Sequence, residues 1–328
     1  MTRRSWILMG LLAALWGASY MFIKIALDDG VPAPTIVFLR IVLGAAVLVP
    51  IALHRRAFPG LRGRWAWVWA VAMAQVAVPF LLITYGERWI PSSLAGILVA
   101  STAIFVVLLS PWLAKTDVVS GWGAVGVVVG ILGVGLLFGV DLSGTTKGLI
   151  GGAMVLVASI GYAFASLWVR VRLSGVQPVA VAAGTMLAAA LATLGPAVAA
   201  PPSAMPSLGT WAALVALGAG GTGIAFLLYY TLIADIGASR AAVVAYMAPG
   251  FAVGYGALFL SEPITAATIG GLVLILTGSW LGAEGRPPWK PKSSGYGPGA
   301  AAEVAGEPLA EDLVGTAPWQ DEPAKTAR

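Results

Sequence analysis

Ten apolar segments of about 20 residues follow one another along the chain, separated by short links rich in Pro, Gly, Ser and Asp. The apolar runs are unbroken and lack the alternation of polar and apolar residues found in barrel strands. A backbone that crosses a bilayer has to satisfy its own hydrogen bonds, so helices are the remaining choice. The pattern therefore predicts an all-α polytopic membrane protein with ten transmembrane helices, over residues 6–27, 34–53, 65–86, 92–113, 120–139, 148–170, 178–199, 209–233, 240–260 and 266–283.

Lysine and arginine residues in the links indicate the orientation, because cytoplasmic loops carry an excess of them. With a cytoplasmic N-terminus, thirteen positive residues fall on that side and only Arg88 and Lys147 fall on the other. One span more or fewer would reverse the side of every later link and place positive residues on both sides, so the charges also support the number of spans. Both termini are predicted to be cytoplasmic. The thirteen residues are Arg3, Arg4, Arg55, Arg56, Arg62, Arg64, Lys115, Arg170, Arg172, Arg240, Arg286, Lys290 and Lys292.

The two halves of the chain resemble each other weakly. At an offset of 146 residues, Phe80-Leu81-Leu82 matches Phe226-Leu227-Leu228, and four more identities follow between residues 93 and 107. Five spans per half is an odd number, so the halves have opposite orientation, as in secondary transporters whose substrate site lies between inverted repeats. We predict two inverted five-helix repeats over residues 5–139 and 148–283. Residues 284–328 form no apolar face and are predicted to be a disordered cytoplasmic tail.

Composition excludes several other classes of protein. The chain is 59% hydrophobic and only 10% charged, far from the shares of a soluble domain. The net charge of +5 is spread over short links rather than gathered in a patch, which argues against a nucleic-acid partner. The chain has no cysteine, and its single histidine, His54, cannot form a zinc site alone. No metal or cofactor is predicted.

A glycine-rich stretch, GAGGTG at residues 218–223, fits the dinucleotide-binding pattern. It lies inside an apolar helix rather than after a strand, so close helix packing or a hinge is the better interpretation. The same interpretation covers three GxxxG spacings, which are Gly126/Gly130, Gly135/Gly139 and Gly250/Gly254.

Segments of both halves resemble one family. WGASYMFIK, beginning at Trp16, is followed by Pro34 and Arg40 in FLRIVLGAAVLVP, and this resembles the opening of the EamA family of the drug/metabolite transporter superfamily. GASRAAVVAYMAPGFAVGYGALFLSEPIT, beginning at Gly237, with GGLVLILTG after it, resembles the closing part of that family's repeat. The resemblance covers roughly residues 5–283.

The first repeat departs from the family pattern at two places. It has Thr102-Ala103 where Pro tends to follow the Thr, and Lys115-Thr116 where Gly-Glu tends to end the repeat. The second repeat keeps Pro249 and Glu262. The fourth helix is therefore expected to be straighter than the ninth.

The resemblance implies a ten-helix transporter for small metabolites such as amino acids or drugs, commonly working as an efflux system. The sequence contains no ATP-binding loop, so a secondary transporter with alternating access is predicted, in contact with a small-molecule substrate and the bilayer of the cell membrane. Self-association into a homodimer is left open. No Asp or Glu lies deep in a predicted span, so no proton-coupling carboxylate is visible and facilitated diffusion also stays open.

Two other classes of function remain as alternatives. A polytopic membrane enzyme acting on lipid-linked substrates would need carboxylates or histidines clustered at the membrane edge, and the chain offers scattered single acids. A non-transporting membrane scaffold would explain the tail but not the paired halves. The prediction is therefore a transporter and not an enzyme, with no catalytic residue.

Three residues of the first helix are spaced for one common face. Trp16, Tyr20 and Lys24 stand at positions i, i+4 and i+8. One interpretation is an aromatic path that leads to a cation in a cavity, since a charge inside a span is a functional hypothesis by default. The other is that Lys24 extends toward the nearby end of its helix and reaches water.

Arg40 is predicted to lie about six residues, or roughly 9 Å, inside the second span. A charge near mid-membrane costs about 2.5–3.5 kcal/mol, so a partner is expected. Glu87 and Glu262 lie at the outer ends of their spans and are the candidates. Arg40 either forms a structural or gating ion pair that closes the outer side or contacts a substrate carboxylate directly.

Other polar groups within the spans either line a cavity or bridge helices. Pro249 removes a backbone hydrogen bond and can break the ninth helix beside a binding cavity. The candidates for substrate binding are Gln75, Tyr85, Ser101, Tyr162, Tyr246 and Pro249, and the further polar groups are Thr102, Ser166, Tyr229 and Tyr230.

Overall fold

The protein is described by a computed structural model, which covers residues 2–114, 121–142 and 144–284 except for the side chains at 238, 239 and 284. Every regular element in these ranges is helical. Within the described residues, nine helices are long and apolar enough to cross a membrane, and Val244–Leu260 is a shorter apolar helix. The predicted all-α polytopic fold is confirmed. Except for the backbone of residue 284, the tail predicted over residues 284–328 lies outside the described residues, and so does Lys115.

We number the spans in chain order. They are span 1 (Arg3–Asp28), span 2 (Ala33–His54), span 3 (Trp65–Gly86), span 4 (Ser92–Val99 and Thr102–Leu113), span 5 (Trp122–Asp141), span 6 (Thr146–Arg172), span 7 (Pro178–Ala199), span 8 (Leu208–Ile236), span 9 (Ala238–Ala241 and Val244–Leu260) and span 10 (Ala266–Glu284).

Several spans extend past their predicted starts because polar side chains cap them. Thr2 Oγ1 accepts a hydrogen bond from the Ser5 backbone N–H at 3.2 Å, which lets span 1 begin at Arg3. Thr145 Oγ1 accepts the Gly148 N–H at 2.9 Å at the start of span 6. Such caps satisfy backbone N–H groups that a helix start leaves free. Hydropathy alone does not register them.

The ends of the spans form two faces of the bundle. We call the end that holds Arg3 and Ala283 the terminal face, and the end that holds Asp29, Glu87 and Glu262 the distal face. At the distal face the Ser207 N–H donates to Asp29 Oδ2 at 2.8 Å, and this bond lowers the pKa of the Asp29 carboxyl from its ordinary value. The bond joins the end of span 1 to the start of span 8.

The two halves pack with a two-fold pattern. Spans 2 and 7, spans 4 and 9, and spans 5 and 10 pack against each other. Span 1 packs on span 9 as span 6 packs on span 4, and span 3 packs on span 6 as span 8 packs on span 1. Each of these contacts is therefore matched by the equivalent contact of the other repeat. This confirms two inverted five-helix repeats, while the exact domain bounds stay a prediction.

Three spans contain a π-helical segment that hydropathy does not reveal, one of them over Leu137–Asp141 at the end of span 5. The backbone is π-helical over Ala72–Ala77 in span 3 and over Ala216–Ile224 in span 8. The offset of 146 residues that relates the repeats carries position 72 onto position 218, inside the second segment. Short π-helical segments are rare and often occur at functional sites. The repeats therefore share an irregular turn at equivalent depth.

Span 4 is interrupted in its middle. The Ser101 hydroxyl donates to the Leu98 carbonyl at 2.6 Å and the Thr102 hydroxyl to the Val99 carbonyl at 2.7 Å. The Leu98 carbonyl also accepts the Ser101 backbone N–H at 3.1 Å, so the chain forms a tight turn between the two helical pieces of the span. Span 9 is also interrupted, at residues 242–243, so the expectation that the fourth helix is straighter than the ninth stays a prediction. Pro249 lies buried inside the unbroken main helix of span 9.

Glycine allows spans 5 and 10 to approach each other closely. A Cβ on Gly278 would lie 2.6 Å from the Gly126 carbonyl oxygen and would also meet the Gly130 nitrogen. Close packing is thus confirmed for the first GxxxG spacing. It is not seen for the other two, because a Cβ on any of their glycines would meet nothing within 4 Å. These four glycines are Gly135, Gly139, Gly250 and Gly254.

The glycine-rich stretch of span 8 also packs closely. A Cβ on Gly218 would lie 2.9 Å from the Arg40 carbonyl oxygen, and one on Gly221 would lie 2.6 Å from Ser19 Oγ. The packing interpretation of GAGGTG is therefore confirmed. The stretch brings span 8 against both span 1 and span 2.

We expect Gly278→Ala to lower the melting temperature of the purified protein, because overpacking against backbone costs about 1–3 kcal/mol. Thermal unfolding in detergent measures the effect. Gly135→Ala is the matched control in the partner helix, and it should leave the melting temperature unchanged or raise it slightly, since Ala favours helix over Gly. Equal behaviour of the two variants would contradict the glycine interface.

Candidate functional site

Trp16, Tyr20 and Lys24 lie on successive turns of span 1 and face the interior of the bundle. The Trp16 ring packs on the Tyr229 ring with centroids 5.5 Å apart. A Cβ on Gly96 would lie 3.2 Å from the Tyr20 ring, so this ring lies against span 4. Lys24 lies one turn closer to the distal face, and all three side chains are half-buried. The three residues share an inward face, as their spacing indicates.

Lys24 is tied to neighbouring groups at the distal face. Its Nζ donates to the Glu87 carbonyl oxygen at 2.9 Å and lies 3.9 Å from Asp28 Oδ1. The Lys24 side chain is 23% exposed. Together with Tyr85 and Arg88, it lines a polar pocket of about 460 Å³. Lys24 therefore connects span 1 to the end of span 3 beside this pocket, rather than only reaching outward to water.

Arg40 is buried at the interface between the halves, with 9% of its surface exposed. Its Nε donates to Thr222 Oγ1 at 3.1 Å, and its Cζ lies 3.8 Å from the centre of the Phe80 ring. The Thr222 hydroxyl donates in turn to the Leu217 carbonyl at 3.2 Å, five residues earlier. The π-helical turn of span 8 thus orients the threonine oxygen toward the guanidinium.

The ion pair expected for Arg40 is not formed. Among the described residues, carboxylates lie within 4.0 Å of a cation only in Arg4–Asp235 and Lys24–Asp28. A hydrogen bond to Thr222 and a cation–π contact with Phe80 stabilise Arg40 instead. Both expected glutamates lie at the distal face, whereas the guanidinium contacts residues inside spans 3 and 8. Arg40 therefore carries a positive charge without a contacting acid.

The two glutamates have different surroundings at the distal face. Glu262 Oε1 accepts the Ser92 N–H at 2.6 Å and Glu262 Oε2 accepts the Ser93 N–H at 2.9 Å, so this carboxylate caps span 4 from the second repeat. Glu87 is completely buried, and neither of its carboxyl oxygens has a hydrogen-bond partner among the described residues. Sequence reasoning placed Glu87 at a span end and did not detect its burial, which depends on the packing of other helices.

The remaining candidates do not form one cluster. Ser101 is buried with its hydroxyl bonded to a carbonyl of its own span. The Tyr246 ring packs on the Trp280 ring with centroids 6.0 Å apart, so it contacts span 10. Gln75 lies half-buried in the π-helical turn of span 3.

Arg40, Tyr20 and Tyr162 lie close enough to one another to interact electrostatically. The charge of Arg40 acts on both Tyr20 and Tyr162, and these half-buried tyrosines also act on each other. Sequence reasoning missed Phe80 and Thr222 as contacts of Arg40. Both had a signal, because Phe80 is one of the identities between the repeats and Thr222 is the polar residue in GAGGTG.

The sequence matches the EamA-like transporter family over residues 4–139 and 149–282, one match for each half. The chain belongs to this family. It is a multi-pass membrane protein and a membrane transporter, as the matched family and the names of its relatives indicate.

Several relatives of this EamA-like transporter share most of its length. An uncharacterized transporter of Archaeoglobus fulgidus is 25% identical over 85% of this chain and 98% of its own. An uncharacterized protein of Pseudomonas aeruginosa is 30% identical over 84% and 95%. The uncharacterized inner membrane transporter YedA of Escherichia coli is 28% identical over 73% and 77%. A solved crystal structure, 22% identical over 84% of this chain and 96% of its own, has the same fold with a TM-score of 0.62.

We expect Thr222→Val to destabilise the transporter by about 1–3 kcal/mol, because the buried Arg40 guanidinium loses its acceptor while the side-chain volume is kept. Thermal unfolding of the purified protein measures this. Thr231→Val is the matched control in the same span, since its hydroxyl donates only to the Leu227 carbonyl one turn earlier. A smaller loss of stability for Thr222→Val than for Thr231→Val would contradict this account of Arg40.

Proposed function

We propose that this EamA-like transporter is a secondary transporter that exports small metabolites, such as amino acids or drug-like compounds, by alternating access. The inverted repeats supply two half-bundles that can rock about a site between them. The sequence contains no ATP-binding loop, so substrate or ion gradients are the proposed source of energy.

The proposed class of substrate rests on the environment of Arg40, which is buried and has no contacting acid among the described residues. A buried cation without a contacting acid is costly, and an anion that binds beside it recovers part of that cost. Arg40 lies between spans 3 and 8, which belong to different halves. A substrate carboxylate is therefore the proposed ligand of Arg40, with the Tyr20 and Tyr162 rings beside it. Amino acids carry the required carboxylate.

The packing at the distal face supports a conformation that is closed there. Residues Ser92–Leu98 of span 4 are all buried, whereas only three residues of Thr102–Leu113 are buried and the others are half-buried or exposed. The Glu262 cap and the Asp29–Ser207 bond cross between the halves at this face. Transport requires these contacts to open, so we propose that the distal face contains the outer gate.

The proposed orientation places the terminal face in the cytoplasm of an inner-membrane protein. Nine of the thirteen positive residues assigned to that side lie in described parts of the chain. The name of YedA, an inner membrane transporter, supports the choice of membrane. These nine are Arg3, Arg4, Arg55, Arg56, Arg62, Arg64, Arg170, Arg172 and Arg240.

A reporter enzyme that is active only in the periplasm tests the orientation. Fused after Ala283 it should be inactive, and fused after Ser203, in the link between spans 7 and 8, it should be active. Activity of the fusion after Ala283 would overturn both the ten-span topology and the cytoplasmic termini.

Replacement of the two cations tests carboxylate recognition. Ligands are first found by a thermal-shift screen of amino acids and drug-like cations, because a ligand of the native state raises its apparent stability. In proteoliposomes, we expect Arg40→Ala to lower the flux of a carboxylate substrate by about 10- to 100-fold, the value of one charge-assisted hydrogen bond. Lys24→Ala should lower it as well.

Lys147→Ala is the matched control, since Lys147 is exposed at the start of span 6 on the distal face. It should leave the flux unchanged. Folding of each variant is checked by its thermal unfolding. Normal flux in well-folded Lys24→Ala and Arg40→Ala proteins would rule out recognition of a carboxylate by these cations.

A further inference from the structure

Glu87 is the first residue after span 3, and its surroundings are unusual for an acid. It has no exposed surface, and both carboxyl oxygens lack a hydrogen-bond partner among the described residues. An ionised carboxylate in such a place pays a desolvation cost of several kcal/mol without compensation. Burial therefore raises the pKa of the Glu87 carboxyl well above its ordinary value.

The charged groups that act on Glu87 come from three other elements. Lys24 of span 1 and Arg40 of span 2 favour its ionised form, whereas Glu262 of the link before span 10 and Asp28 of span 1 oppose it. The Lys24 ammonium donates to the Glu87 main-chain carbonyl and not to its carboxyl group. The cations therefore do not supply the direct contact that would offset burial.

Glu262 binds the backbone N–H groups that begin the helix following Glu87. The backbone N–H groups of Ser92 and Ser93 begin span 4, only a few residues after Glu87, and both donate to the Glu262 carboxylate. The Ser92 hydroxyl, also fully buried, has no hydrogen-bond partner in the described part of the chain. Glu262 of the second repeat thus caps the start of span 4, whereas Glu87 of the first repeat remains buried without a hydrogen-bond partner for its carboxyl group.

We propose that the Glu87 carboxyl binds a proton while the distal face is closed and releases it when that face opens. The proposal rests on the alternating access proposed above, and it makes Glu87 the site at which proton binding is linked to the outer gate. Opening would separate spans 1, 3 and 4 enough for water or the Lys24 ammonium to reach the carboxylate.

The direction of the pH effect follows from this linkage. In the closed conformation the pKa of Glu87 is raised by burial, and in an open one contact with water returns it toward its ordinary value. The closed conformation therefore keeps the proton to higher pH. Raising the pH through the interval between the two values shifts the population toward the open conformation, by up to about tenfold for each unit of pKa difference.

The absence of cysteine from the chain allows a direct test. Ser92→Cys places a thiol under the closed distal face and loses no hydrogen bond of the hydroxyl. Its rate of reaction with a maleimide is measured in lipid nanodiscs from about pH 5 to about pH 9, a range that brackets a raised carboxyl pKa. The rate is divided by that of Ser203→Cys, an exposed position on the same face, to correct for thiol ionisation.

We expect the corrected rate of the S92C protein to rise with pH, by up to about tenfold per unit of pKa difference. Adding Glu87→Gln, a neutral group of the same shape, should keep the rate low at every pH. Adding Asp28→Asn, which neutralises an acid whose side chain is 61% exposed, should leave the rise in place. Comparison of S92C with S92C/E87Q at each pH also cancels the ionisation of the buried thiol itself.

Two results would overturn the proposal. One is a pH-dependent rate that persists in the presence of Glu87→Gln, and the other is a rate without pH dependence in the S92C protein. Flux of the substrate panel is measured on the same proteins. If no substrate moves while labelling depends on Glu87, the secondary-transport function is wrong and the proton site stands.

Discussion

A bilayer offers no water to backbone groups or charges, and the structure of this transporter depends on that constraint. At two places where a helix departs from regular geometry, side-chain hydroxyls bind backbone carbonyl groups. The Ser101 and Thr102 hydroxyls do this at the interruption of span 4, and Thr222 does it in the π-helical turn of span 8. The turns of spans 3 and 8 lie at equivalent depth, so both repeats contain the same irregular backbone geometry.

Small residues allow pairs of spans to approach each other closely. Gly17 places span 1 against span 9, where an added Cβ would lie 2.7 Å from the Ala248 carbonyl oxygen. Gly278 does the same for spans 5 and 10. Helices in lipid gain little from burying apolar surface against each other, so close backbone approach supplies much of their attraction. Both of these close approaches belong to the two-fold pattern of pairing between spans.

Much of the fold was predictable because a transmembrane helix is specified by a local property, about 20 apolar residues in a row. The ten spans, their alternation and the inward face of Trp16, Tyr20 and Lys24 all follow from such local patterns. The site was less predictable because it depends on contacts between distant segments. Hydropathy could not show that Glu262 would cap span 4, and it could not show that Glu87 would be left without a partner.

The charges of the candidate site illustrate why pairing by sign alone is a poor guide. Arg40 and Glu87 have opposite charges and both lie inside the bundle, yet they do not contact each other. A direct pair would neutralise both groups and would leave neither free to bind a ligand. Phe80 and Thr222 stabilise Arg40 without neutralising it, because an aromatic face and a hydroxyl carry no net charge. The cost of burying Arg40 is thus lowered while its field remains available to an anion at the interface between the halves.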